Sequence, residues 1–113
     1  MKEREPEFFL RELLSIDTQN PPGKEAQIVQ FIIREMGLKK EQYEILDHGG
    51  GRASLIVSIP GNSKDTVLFL GHLDTVPCGD SAAWQYPPIQ ATEKEGCLYG
   101  LGSSDMKSGV AIM

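Results

Sequence analysis

The sequence has few of the features that would place it in a specialised class of protein. It contains only two cysteines, Cys78 and Cys97, which is weak evidence for a disulfide. No apolar run approaches the roughly 20 residues of a membrane-spanning helix. Lysine and arginine form no stripe, and the formal net charge is -5. We therefore expect neither nucleic acid nor a membrane as the main partner.

The start of the chain is charged with both signs and lacks the apolar segment of a signal peptide. We therefore predict a cytoplasmic protein. Apolar residues recur at helical spacing in two stretches, 6–16 and 24–36. Runs that suit strands follow at 43–46, 53–59, 66–70, 89–93 and 97–99, the last two forming a hairpin. The pattern predicts the α/β fold class, with helices on a largely parallel or mixed sheet.

The stretch from Thr66 to Asp74 carries the first candidate site. Thr66 to Leu70 is a short apolar run, which predicts a buried strand ended by Gly71. His72 and Asp74 follow, and positions i and i+2 of an extended chain project to the same side. A carboxylate beside an imidazole fixes its tautomer and leaves the other ring nitrogen free for a metal. The same pair is also compatible with a simple hydrogen bond at a strand end.

A glycine- and serine-rich loop, residues 100–105, carries a second candidate residue. Its sequence invites comparison with the dinucleotide-binding glycine loop, a role that we reject for two reasons. The sixth position is Asp105, whose carboxylate would compete with a phosphate for the same amides. The loop also follows a predicted hairpin rather than the first strand of a βαβ unit. Two roles stay open for Asp105: a cap of the last helix, or a carboxylate that faces His72 and bridges two cations.

The two stretches share a pattern with a known family. Residues 72–77, Trp84, Pro88 and residues 98–109 closely resemble the M20 metallopeptidases, a family of deacylases, aminoacylases and carboxypeptidases. The quoted motifs are His-Leu-Asp-Thr-Val-Pro, from His72, and Leu-Tyr-Gly-x-Gly-Ser-x-Asp-Met-Lys-x-Gly, which contains Asp105. The segment Asn-Pro-Pro-Gly, residues 20–23, also looks like the family's first loop.

The resemblance implies a site for two zinc ions, with cobalt as a substitute. His72 would ligate one zinc, Asp105 would bridge both, and Asp74 would hold the ring of His72. A cis peptide is expected directly after Asp105. The implied activity is hydrolysis of the amide bond of N-acyl amino acids or small peptides. The full-length protein would act on a small-molecule substrate, with a homodimer as one option for its assembly.

The resemblance also implies parts that these 113 residues lack: a Glu-Glu pair with the general base, a further acidic ligand, a distal histidine and a lid domain. Leu101 and Ser108 stand where the family commonly has Arg and Gly. The final apolar run ends after at most two helical turns, which makes a marginal helix. We therefore expect residues 1–113 to be the N-terminal portion of a catalytic domain and inactive alone. The alternative is a non-catalytic truncated relative that binds a partner or has no function.

Overall fold

A computed structural model describes residues 5–113 as a mixture of short helices and two small sheets. The elements in chain order are α1 (Pro6–Leu14), α2 (Ala26–Met36), β1 (Tyr43–Gly49), β2 (Arg52–Val57), β3 (Thr92–Lys94), β4 (Cys97–Tyr99) and α3 (Ser108–Ile112). The two predicted N-terminal helices and the predicted hairpin near residue 95 are confirmed. Within residues 5–113, no helix has the length and apolar character required to cross a bilayer.

The core lies where α1 and α2 meet. Leu13, Ile28 and Phe31 are buried together, and the rings of Phe9 and Phe31 meet edge-to-face at 5.8 Å. Full burial of each such side chain stabilises a fold by about 1.5–3 kcal/mol. Helix α2 ends at Gly37, whose left-handed conformation (φ 60°) allows the capping hydrogen bonds. This core supports the loops that carry the candidate site.

Both sheets are antiparallel pairs. Strands β1 and β2 pair from Tyr43 opposite Val57 to Asp47 opposite Ala53, and β3 pairs with β4. The β3–β4 turn has positive φ at Glu95 (53°) and at the following glycine (76°), as a two-residue hairpin turn requires. Among the described residues, the one parallel pairing is an isolated bridge between residues 19 and 75. The mixed helix-and-sheet content fits the predicted class, but the largely parallel sheet is not observed.

The prediction of a buried strand at residues 66–70 is wrong for this structure. The run is not part of either sheet, and Val67 and Leu70 are 78% and 79% exposed. A short apolar run favours a buried strand, but a strand forms only where a neighbour accepts and donates the ladder hydrogen bonds. In residues 5–113 no strand pairs with this run, so it remains an exposed apolar stretch outside both sheets.

Candidate metal centre

The loop that carries His72 and Asp74 is held against an earlier loop of the chain. The Thr18 hydroxyl donates to the Leu73 carbonyl (2.8 Å), and the Thr75 amide donates to the Thr18 carbonyl (3.0 Å). Thr18 and Thr75 are both buried. The backbone on either side of Asp74 is therefore fixed, although residues 66–70 just before it are exposed.

His72 has a carboxylate near each of its ring nitrogens. Its Nε2 lies 2.8 Å from Oδ1 of Asp105, and its Nδ1 lies 3.3 Å from Oδ1 and 3.0 Å from the carbonyl oxygen of Asp74. The hydrogen bond with Asp105, followed by contacts with Asp74, raises the pKa of His72. The structure thus brings together all three residues singled out from the sequence. Their role as a metal site stays a prediction.

Asp105 reaches His72 because the chain around it is not helical. Gly102 is left-handed (φ 83°), and Asp105 itself is extended (φ -127°, ψ 93°) and followed by a cis peptide bond to Met106. Helix α3 begins after Lys107, and no side chain caps its N-terminus. The alternative role of Asp105 as the cap of the last helix is therefore wrong. The cis peptide implied by the family resemblance is present.

Asp74 has further partners on the side away from His72. Its Oδ2 accepts a hydrogen bond from the Asn20 side-chain amide at 2.9 Å and lies 3.7 Å from the Arg52 guanidinium. The Asn20 hydrogen bond is the main cause that lowers the pKa of Asp74. Arg52 in turn pairs with the buried carboxylate of Glu25 at 2.7 Å. No sequence pattern points to a role for Asn20 or Arg52, since their contacts depend on how segments distant in the sequence fold together.

The three residues border an open cavity of about 380 Å³, lined also by Asn20 and Leu101. An imidazole and a carboxylate are ligands that zinc prefers, so His72 and Asp105 fit part of a zinc site. Catalytic zinc normally takes three protein ligands. Within residues 5–113, no group of three or more His, Cys, Asp or Glu side chains could hold a metal ion. The described residues therefore offer a partial ligand set.

Three further residues singled out in the sequence, Trp84, Cys78 and Leu101, have the following surroundings in the structure. The indole of Trp84 donates to the Cys78 carbonyl (2.9 Å) and so closes the loop between them. Cys78 is half-buried with a free thiol. Leu101, the departure from the family's usual Arg, is buried (7% exposed), which suits an aliphatic side chain.

Comparisons with known proteins relate the chain to a peptidase family. Residues 68–113 match the family model described as peptidase family M20/M25/M40. A succinyl-diaminopimelate desuccinylase from Vesicomyosocius okutanii is 36% identical over 91% of this chain and 26% of the relative. A probable succinyl-diaminopimelate desuccinylase from Staphylococcus aureus is 32% identical over 98% of this chain and 27% of the relative. The chain thus spans about a quarter of the length of these curated relatives.

Proposed function

Because the chain belongs to peptidase family M20/M25/M40, we propose that it forms the metal-binding part of a zinc-dependent amide hydrolase. One observation carries the proposal: His72 Nε2 and Asp105 Oδ1 converge at 2.8 Å beside an open cavity, inside the segment that matches the family. In a polypeptide of the relatives' length, His72 and Asp105 would hold the metal with ligands from elsewhere. The proposed location of such an enzyme is the cytoplasm.

The role of each residue follows from its chemistry. His72 would donate the lone pair of Nε2, and Asp105 has two carboxylate oxygens, enough to face two cations. Asp74 keeps the imidazole in place from the Nδ1 side. Zinc, when bound, polarises a carbonyl and lowers the pKa of bound water towards neutrality. Since the described residues lack a third ligand, we propose that the 113-residue chain alone hydrolyses no amide and binds zinc weakly.

The proposed substrate is a small N-acyl amino acid. The relatives from Vesicomyosocius okutanii and Staphylococcus aureus, which align with most of the chain, carry the name succinyl-diaminopimelate desuccinylase, or a probable one. N-succinyl-diaminopimelate is therefore the first substrate to test, followed by other N-acyl amino acids and dipeptides. A homodimer of the complete enzyme is part of the same proposal.

A chimera tests this function. Residues 1–113 replace the matching quarter of the Staphylococcus aureus relative, and hydrolysis of N-succinyl-diaminopimelate is measured with zinc and after chelation. We expect zinc-dependent activity that His72→Ala and Asp105→Ala abolish. His48→Ala is the matched control, because His48 is the only other histidine and contacts Ser54 in the β1–β2 hairpin. Full activity in either site variant would overturn the metal assignment.

A further inference from the structure

The described structure shows a second set of contacts, on the face of Asp74 opposite His72. The two oxygens of the Asp74 carboxylate have different partners. Oδ1 faces His72 Nδ1 at 3.3 Å, whereas Oδ2 accepts the Asn20 amide hydrogen bond at 2.9 Å. A carboxylate held at both oxygens cannot rotate about its side-chain bonds without breaking one of the two contacts. Asn20 therefore limits where the Oδ1 that faces His72 can lie.

Asn20 is itself fixed by backbone contacts rather than by its side chain. The backbone amide of Asn20 donates to the Thr75 carbonyl (2.8 Å). This hydrogen bond directly follows the parallel bridge between Gln19 and Thr75. The loop before α2 and the loop that carries Asp74 thus form one unit. The Asn20 side chain projects from this unit at a defined distance from Asp74.

Charge supports the same arrangement. Arg52 lies 3.7 Å from Asp74 Oδ2, and its guanidinium is held by Glu25, which is 5% exposed. Positive charge beside Oδ2 favours the ionised carboxylate that the imidazole requires as its neighbour. Arg52 lies farther from Asp74 Oδ2 than Asn20 does. Asn20 therefore orients the carboxylate through a hydrogen bond, and Arg52 acts on it through charge.

We propose that Asn20 is a positioning residue for His72, acting through the carboxylate of Asp74. The inference rests on the proposed function, in which His72 is a metal ligand, but the ordering of the ring needs no metal. In this role, the Asn-Pro-Pro-Gly loop, residues 20–23, presents the side-chain amide of Asn20 to Oδ2 of Asp74. Among residues 5–113, the Asn20 side chain hydrogen-bonds Asp74 and neither His72 nor Asp105, so its effect must pass through Asp74.

Ring order in the 113-residue chain is the direct test. The chain has two histidines, so selective labelling of histidine rings gives one signal set for His72 and one for His48 as an internal reference. Carbon relaxation of the ring reports an order parameter, which is about 0.85 for a rigid group and below about 0.6 for a flexible one. We expect Asn20→Ala to move His72 from the rigid towards the flexible range and to leave His48 unchanged.

Two variants separate positioning from a general effect on the loop. Gln19→Ala removes the neighbouring side chain, which bonds Asp17 and Cys78 but not Asp74, and should keep His72 rigid. Asn20→Asp keeps the shape but replaces the amide donor with an acceptor, and should loosen the ring as Asn20→Ala does. If the amide spectrum of Asn20→Ala lacks the dispersion of a folded protein, Asn20→Asp decides the test. A rigid His72 ring in folded Asn20→Asp would overturn the inference.

Zinc added to the same samples keeps the two proposals apart. We expect zinc to shift the ring signals of His72 at lower concentration than those of His48. If the chimera shows no zinc-dependent hydrolysis while Asn20→Asp loosens the ring, the metal proposal fails and the positioning role stands. If zinc binds at His72 and Asn20→Asp leaves the ring rigid, the positioning role alone fails.

Discussion

The side-chain nitrogen of Lys107 lies 2.7 Å from the carbonyl oxygen of Leu13, 94 positions away in the sequence. It donates a second hydrogen bond to the Ile16 carbonyl at 2.8 Å, and the whole residue is 2% exposed. Leu13 lies in the last turn of α1 and Ile16 lies two residues beyond its end, where helical partners run out. A single buried lysine thus joins the end of the first helix to the loop that carries Asp105.

Lys107→Met should destabilise the chain. Methionine fills similar space but donates no hydrogen bond, so the Ile16 carbonyl loses its donor, whereas the Leu13 carbonyl keeps its hydrogen bond from the Ile16 amide. Leaving such a group without a partner costs about 1–3 kcal/mol. Urea unfolding at neutral pH measures this loss. Lys94→Met, in the exposed β3 position, is the matched control and should change the free energy of unfolding little.

The same lysine should make stability depend on pH. Burial lowers the pKa of Lys107 from 10.5 to about 8. Between these values the unfolded chain binds more protons than the folded one, so stability rises with pH over this window. Below pH 8 the cost of burying the charge is present in full. The difference in unfolding free energy between wild type and Lys107→Met should therefore grow from pH 8 to pH 10, and a constant difference would contradict the assignment.

Asp105→Asn should lower the pKa of His72. The Asp105 hydrogen bond is the largest cause that raises this pKa above 6.5, and asparagine has no negative charge to stabilise the imidazolium. Because the folded pKa is raised, the stabilisation is present below pH 6.5 and is lost as pH rises through the folded pKa. Proton NMR titration of the His72 ring measures the shift. Asp47→Asn in the β1–β2 hairpin is the control.

Gly102→Ala should displace the loop that carries Asp105. A Cβ at this position would lie 2.6 Å from Cγ2 of buried Thr75, and φ is 83°, a conformation that L side chains rarely adopt. Alanine at positive φ destabilises by at least about 1 kcal/mol. The midpoint temperature of thermal unfolding and the pKa of His72 should both fall. Gly61→Ala, with open space around the new methyl group, should leave both unchanged.

Asp74→Ala should weaken the proposed metal site without removing a ligand. Loss of the residue that orients a metal-bound histidine typically costs about 10–100-fold in metal affinity or activity. In the chimera with the Staphylococcus aureus relative, we expect at least about a tenfold fall in kcat/KM, less than for His72→Ala. Asp47→Ala is the control. Equal losses in Asp74→Ala and His72→Ala would indicate that Asp74 is itself a ligand.

Local sequence patterns predicted the elements whose formation depends on residues close to one another in the sequence. Helices α1 and α2 follow from apolar spacing, and the β3–β4 hairpin follows from its glycine turn. The residues alone leave two roles open for Asp105, and the family resemblance favours its approach to His72, because the non-helical backbone at Asp105 leaves no periodic signal. The contacts of Asn20 and Lys107 link loops that are 54 and 94 positions apart, which no local pattern encodes.

The apolar run at residues 66–70 is a case in which the local pattern predicted a strand that the structure lacks. Its composition predicts a buried strand, and burial would require neighbours on both faces. In the described chain Val67, Leu68, Phe69 and Leu70 are each at least 69% exposed. Sequence pattern gives the preference of a segment, but its burial is decided by which other segments pack against it.

Phe69→Lys should reduce self-association of the 113-residue chain. Consecutive exposed apolar residues with unpaired backbone groups are a site for strand-to-strand association. A lysine in the middle of the run would have to be buried on association, at a cost that disfavours the contact. Light scattering across a concentration series should show larger species for wild type than for Phe69→Lys. Ser63→Lys adds the same charge outside the run and should associate like wild type. Equal association of Phe69→Lys and wild type would show that the run is not the contact.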